Sequence, residues 1–97
     1  MVAYVVNEIV VTDPERFVTY SSQVPAILAK YGGEYVVRGG DPERVDGPAP
    51  PHKLVILRFE GREAASVWRN SPEYRAILPI REATSTSRVY IVDGYEG

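Results

Sequence analysis

Hydrophobic and polar positions along the chain repeat with two different periods, and the places where the period changes mark out its elements. From Val2 to Val11 the residues are rich in Val, Ile and Tyr and apolar on both alternating faces, with Asn7 and Glu8 as the interruption. That is the pattern of a strand covered on both sides. Thr12-Asp13-Pro14-Glu15 then opens a helix. Thr12 or Asp13 can cap free backbone N–H groups, Pro14 suits the first turn and Glu15 sits where the helix dipole favours an acid. Phe17, Tyr20, Val24, Ile27, Leu28 and Tyr31 recur at three- and four-residue spacings and form one stripe, which Gly32-Gly33 ends with a left-handed stop. Pro25 breaks this stripe and predicts a kink or a restart near Val24, because it removes a hydrogen bond and crowds the preceding turn.

Glu34 to Gly39 reads as a second strand framed by two diglycines, and Gly39-Gly40 feeds a stretch from Asp41 to His52 that is dense in turn formers. This stretch is a loop with room for a short strand extension at Arg44-Val45. Lys53 to Glu60 is the third strand, again apolar on both faces. Gly61-Arg62-Glu63 opens a second helix through Ala64, Ala65, Val67 and Trp68. Asn70-Ser71-Pro72-Glu73 interrupts and restarts it, with Ser71 as cap and Pro72 as first residue. The restarted helix carries Tyr74, Ile77, Leu78 and Arg81, and Pro79 is expected to end or distort it. Thr84-Ser85-Thr86-Ser87 reads as a polar turn with no base and acid arranged to activate a nucleophile. Ser87 to Asp93 is the last strand, closed by Gly94.

The order β-α-β-β-α-β in one domain over 1–97 predicts an α+β, ferredoxin-like fold, a four-stranded antiparallel sheet with both helices on one face. Two helices cover one face only. Yet Val2, Tyr4, Val6 and Val10 oppose Ala3, Val5, Ile9 and Val11 in the first strand, and Leu54 and Ile56 oppose Val55, Leu57 and Phe59 in the third. A bare apolar sheet face of several hundred Å2 or more is rarely left open on a soluble monomer. The expectation is a homodimer whose sheets pack face to face, an α/β barrel.

Composition narrows the function classes. A net charge of −2 with no basic run gives no reason to approach nucleic acid or an anionic membrane. With no Cys and one His, disulfides, thiol nucleophiles and thiolate or His-rich metal sites are excluded. No apolar run approaches the ~20 residues that cross a bilayer, and the first residues lack a basic signal-peptide start, which predicts a cytoplasmic protein. No acid pair, phosphate loop or nucleotide fingerprint is present, so no cofactor or metal is expected.

Asp13-Pro14, Tyr31-Gly32-Gly33, Arg38-Gly39-Gly40, the strand Leu54 to Glu60, Ala65 with Trp68, Ser71-Pro72-Glu73-Tyr74 and Arg81 occur in the order seen in the uncharacterised "domain of unknown function 1330" family. The chain resembles that family along essentially its whole length. The resemblance implies a dimeric α/β barrel in a small bacterial protein with no established activity. The wider superfamily includes cofactor-independent monooxygenases, haem-degrading enzymes, muconolactone isomerases and aldoxime dehydratases, which place ligands between sheet and helices. Fold analogy of this sort does not transfer chemistry.

Candidate site residues follow from position and charge. Arg81 lies seven after Tyr74 and four after Ile77, on the apolar stripe of its helix, where a guanidinium must pair or reach solvent. It either meets a carboxylate or phenolate together with Tyr74, in a pocket lined by Trp68 and Tyr20, or bridges to Glu73, Glu82 or a partner-chain acid. Arg38 shares a strand face with Glu34 and Val36 by simple alternation, and Gly39-Gly40 beside it lets a ligand or backbone come close. Its bland alternative is a pair with Asp41 or Glu43. His52 is the default general base by pKa but sits in the loop after Pro50-Pro51, which makes it a weak catalytic candidate. Whichever of Asn7 and Glu8 faces the helices is a further ligand donor or acceptor, and the seven tyrosines are read mainly as core or interface residues. Three readings remain: a dimer binding a small anionic or phenolic metabolite through Tyr20, Arg38, Trp68, Tyr74 and Arg81; a cofactor-independent oxygenase or isomerase; or an interaction module without ligand.

Overall fold

A computed structural model describes residues 1–96. The alternating segments form β1 (Ala3–Val11), β2 (Glu34–Gly39), β3 (Lys53–Phe59) and β4 (Ser85–Asp93); the segments of helical spacing form α1 (Pro14–Ser21), α2 (Val24–Lys30), α3 (Arg62–Arg69) and α4 (Pro72–Thr84). The strands lie in the order β2-β3-β1-β4, each pair antiparallel, and the helices pack on one face of the sheet. This is the α+β, ferredoxin-like arrangement.

The helix boundaries follow the local chemistry. The Asp13 carboxylate accepts from the Arg16 N–H at the start of α1, and Ser71 Oγ accepts from the Tyr74 N–H at 3.2 Å at the start of α4. Pro25 falls in the first turn of α2, where its missing N–H costs nothing, so the long stripe is two helices rather than one kinked helix. The glycines of the first diglycine serve different needs. Gly32 stands at φ +77°, the left-handed stop, whereas a Cβ on Gly33 would sit 2.7 Å from the Phe59 ring and against Leu28 Cδ1.

Three expectations are corrected. Pro79 does not end its helix: α4 runs on through it to Thr84. Thr84 to Ser87 is not a turn: helix passes directly into strand, Thr84 Oγ1 donates to the Ile80 carbonyl at 2.7 Å and Ser85 Oγ to the Arg81 carbonyl at 2.6 Å. These hydroxyls bond back to carbonyls four residues earlier, in the last turns of the helix. Arg44-Val45 forms no strand.

The two faces of the sheet differ. Ala3, Val5, Asn7 and Ile9 of β1 point toward the helices and are buried, opposite Phe59, Leu57, Val55 and Lys53 of β3. They meet an aromatic ladder in which Phe59 stacks on Trp68 (5.5 Å between centroids), Trp68 on Tyr74 (4.3 Å) and Tyr74 edge-on against Tyr20 (6.1 Å). The other face presents Tyr4, Val6 and Val10 of β1, Leu54 and Ile56 of β3, and Tyr90 and Val92 of β4, all exposed or half-buried. Its charges are already paired: Arg88 donates to Glu8 at 3.0 Å and the Tyr90 hydroxyl to the same carboxylate at 2.7 Å.

Candidate functional site

The helix-facing side of the sheet does not close completely. A cleft of about 240 Å3 opens between α1, the start of α2 and strands β1 to β3, with Trp68 of α3 also in its lining. Its apolar walls are Ile9, Phe17, Val24, Val55 and Leu57, and its polar groups are Asn7, Tyr20, Ser21, Tyr35, Arg38 and Lys53. A cleft of this size falls just below the ~300–1,000 Å3 of pockets for drug-sized ligands.

Arg38 reaches this cleft through an irregularity that alternation alone does not reveal. Tyr35 opposes Leu57 and Val37 opposes Ile56, so Val36 is an extra, unpaired residue in β2. Beyond this bulge Arg38 opposes Val55, a helix-facing residue. Strict alternation puts Arg38 with Glu34 and Val36 on the outer face, and the bulge overturns that, as bulges re-aim side chains in general. Glu34 stays outside and pairs with Arg58 at 2.6 Å. Arg38 makes no ion pair with Asp41 or Glu43; its guanidinium lies 4.8 Å from the centre of the Tyr35 ring.

Behind the cleft runs a buried polar chain. Arg81, only 6% exposed, donates from Nη1 to the Tyr74 hydroxyl at 3.2 Å, and that hydroxyl lies 2.7 Å from the Tyr20 hydroxyl. A guanidinium only donates. Tyr74 therefore accepts from Arg81 and shares a second hydrogen bond with Tyr20 in which either hydroxyl can donate; when Tyr74 donates, the Tyr20 proton is left for another acceptor. Burial, and then the adjacent Tyr74, push the Tyr20 phenol well above its ordinary pKa, so it acts as a neutral donor rather than a base.

Among the described residues Arg81 has no carboxylate partner. Glu73, its expected alternative, is occupied by Lys30 and by the Tyr31 hydroxyl at 2.7 Å, which hold its carboxyl down at about 2. Arg81 Nε and the indole Nε1 of Trp68 are buried without hydrogen-bond partners. Orphaned buried donors are uncommon in folded proteins and each calls for a reason.

Of the residues expected to bind ligand, Tyr20, Arg38 and Trp68 therefore share the cleft, while Tyr74 and Arg81 stand behind it, joined to Tyr20 by hydrogen bonds. His52 is exposed in the loop and does not line the cleft. Lys53 does line it, although its neighbourhood along the chain marks it only as the start of a strand. Asn7, not Glu8, faces the helices, donating from Nδ2 to the Val55 carbonyl at 3.0 Å. Among the described residues no group of three or more His, Asp or Glu side chains is placed to hold a metal ion, and no helix is long and apolar enough to cross a membrane.

Comparison with known proteins agrees with this architecture. The profile of the domain of unknown function DUF1330 matches residues 2–95. No curated protein matches the sequence. The protein of unknown function RPA0582 from Rhodopseudomonas palustris is similar over 99% of this chain and 84% of its own, at 16% identity and TM-score 0.83. SnoaB, a cofactor-independent oxygenase from Streptomyces nogalater, is similar over 99% of this chain and 95% of its own, at 17% identity and TM-score 0.70. Rv0793 from Mycobacterium tuberculosis covers 100% of this chain with 98% of its own, at 17% identity and TM-score 0.61. At such identities the likeness is one of fold, the ferredoxin-like arrangement of sheet and helices.

Proposed function

The chain belongs to the DUF1330 family, and from that premise we propose that it is a homodimer that binds a small anionic or phenolic metabolite in the cleft between sheet and helices. The observation that carries the reading is Arg81, a buried guanidinium with no carboxylate, linked through Tyr74 to a tyrosine in the cleft wall. An uncompensated buried charge costs several kcal/mol. A fold under no demand but stability favours an apolar residue there. A ligand oxygen at the Tyr20 hydroxyl gains from the polarised chain and gives the arginine its use. An interaction module without ligand is disfavoured, because it has no use for two arginines that lack acidic partners.

The dimer rests on the outer sheet face, whose Tyr4, Val6, Leu54 and Ile56 remain only half-buried in the single chain. A second sheet packed on them is the arrangement that covers a face of this kind.

A cofactor-independent oxygenase is the second reading. In its favour stand the chain of donors ending at Tyr20 and the fold it shares with SnoaB. Against it, the cleft lining contains neither a carboxylate nor His52, so no side chain there is an evident proton acceptor.

Native mass spectrometry of protein purified without dialysis tests dimer and ligand together. The expected spectrum shows a dimer with a retained small molecule or, after a screen of aromatic acids and phenols, a dimer that binds one. A monomer at micromolar concentration removes the dimer. A screen in which no compound raises the melting temperature, or in which Arg81→Met responds like the wild type, removes the arginine-backed site.

A further inference from the structure

The cleft lining combines two cations with no acid, in a chain that carries more acids than bases overall. Arg38 opposes Val55 across the β2–β3 pair, and Lys53 lies two residues before Val55 on the same face of β3. The two are thus diagonal neighbours, with Cα atoms about 7–8 Å apart, close enough for long side chains to act on one group. Neither takes part in an ion pair among the described residues. Each leans on a ring of the cleft wall instead, the Arg38 guanidinium 4.8 Å from the Tyr35 centroid and the Lys53 ammonium 5.8 Å from that of Phe17.

Both side chains are exposed, which places them at the rim, whereas Trp68 and Tyr20 are buried at the floor. Like charges on neighbouring strands repel, and nothing within the fold requires these two to share a face. The bulge at Val36 is what brings Arg38 there.

We propose, resting on the small-molecule reading above, that the cleft recognises a planar aromatic carboxylate of one or two rings that also bears a phenol or carbonyl oxygen. The carboxylate sits at the rim between Arg38 and Lys53. The ring lies against Trp68 and the apolar walls, and the oxygen accepts from the Tyr20 hydroxyl. The cleft volume of about 240 Å3 limits the ligand to this size. The polarity is specific: the charged end faces solvent and the neutral acceptor faces the interior, because Arg81 does not itself line the cleft.

Trp68 is the sole tryptophan, so one indole cross-peak in a 1H–15N spectrum reports on the cleft floor. The probes are 4-hydroxybenzoate, whose carboxylate and phenol stand at opposite ends of the ring, and its uncharged analogue 4-hydroxybenzamide, titrated into the full chain and into the double variant Arg38→Gln/Lys53→Gln. Charge-assisted hydrogen bonds of this kind contribute enough for at least about tenfold in affinity. The expected result is that wild type binds the acid at least tenfold more tightly than the amide, and that the double variant loses the preference while keeping the amide's affinity. Equal affinities for acid and amide in wild type, or a preference that survives in the double variant, overturn the rim site and leave the pocket reading standing. An indole peak that neither compound moves at millimolar concentration overturns both. Both substituted residues are exposed, and an unchanged melting temperature of the free variant excludes misfolding as the cause of a loss.

Discussion

The two faces of the sheet are built from the same four strands by the same alternation, yet they treat polar groups in opposite ways. On the outer face Glu8 is shared by Arg88 and Tyr90, Glu34 takes Arg58, and the remaining surface is aliphatic and tyrosyl. On the helix-facing side Arg38 and Lys53 have no acid, Trp68 Nε1 and Arg81 Nε have no acceptor, and one buried arginine rests on a phenol alone. A surface with its charges already paired suits a protein partner, since it brings few unpaired charges to be desolvated. A surface with unspent donors suits a small ligand that brings acceptors.

Removing the inner floor is expected to have the largest effect. Trp68 is 1% exposed and touches both Phe59 and Tyr74, so Trp68→Ala should lower unfolding stability by about 3–5 kcal/mol in urea titrations followed by circular dichroism. A much smaller loss means the cleft side is loosely packed and the contrast with the outer face is weaker than described.

On the outer face, Ile56→Arg places a charge at the centre of the proposed interface. Sedimentation equilibrium should show association weakened by about 3 kcal/mol or more, roughly a hundredfold, with the secondary structure retained. An unaffected dimer would place the interface elsewhere.

Arg81→Met separates function from stability. Replacing buried charge with an apolar side chain of similar volume is often neutral or stabilising by about 1–4 kcal/mol, so the variant should melt at or above the wild-type temperature while losing its response to aromatic acids. A clear destabilisation would mean that Arg81 is a structural support, and the inner face would then differ less from the outer one.

The smallest effect concerns a paired charge away from the cleft. Lys30 and Tyr31 hold the Glu73 carboxyl at about 2, below its usual 4.5. A carboxyl depressed in the folded state stabilises above its unfolded pKa and loses that contribution as pH falls through its folded pKa. The loss should therefore extend between about pH 4.5 and pH 2, and Glu73→Gln should flatten the acid limb of the pH–stability curve there. An acid limb of equal slope in the variant would show that this partnership contributes nothing.

Much of this architecture is written locally in the chain. Asp13-Pro14 and Ser71-Pro72 announce helix starts, Pro25 announces the restart, and the apolar β1 and β3 announce a sheet with two covered faces. What is not local is less legible. Pro79 stands inside a helix that runs on to Thr84, which the propensity of proline alone does not encode. The order Thr84 to Ser87 looks like a turn by composition and is a helix end joined to a strand because the hydroxyls of Thr84 and Ser85 find carbonyls. Tyr74 and Arg81 could be paired in advance because helical spacing puts them on one stripe of α4, and Tyr20 and Trp68 belong to the apolar stripes of their own helices. Lys53 could not be grouped with them, since its place at the rim depends on how β3 registers against β2. Arg38 was recognisable as a residue but not by its face, for Glu34 to Gly39 contains no internal glycine or proline to advertise the bulge.

That bulge has a consequence for how such a protein can change. If the ladder took up Val36 opposite Ile56, Val37 would fall opposite Val55 and Arg38 opposite Leu54, on the other side of the sheet, with no change of sequence. The charge would vanish from the rim and appear among the aliphatic residues of the outer face, where an unpaired guanidinium opposes a second sheet. A slip of one residue past Tyr35 is thus a toggle that trades recognition of an acid for solubility as a single chain, whereas loss of Val36 itself leaves Arg38 opposite Val55 and the rim intact.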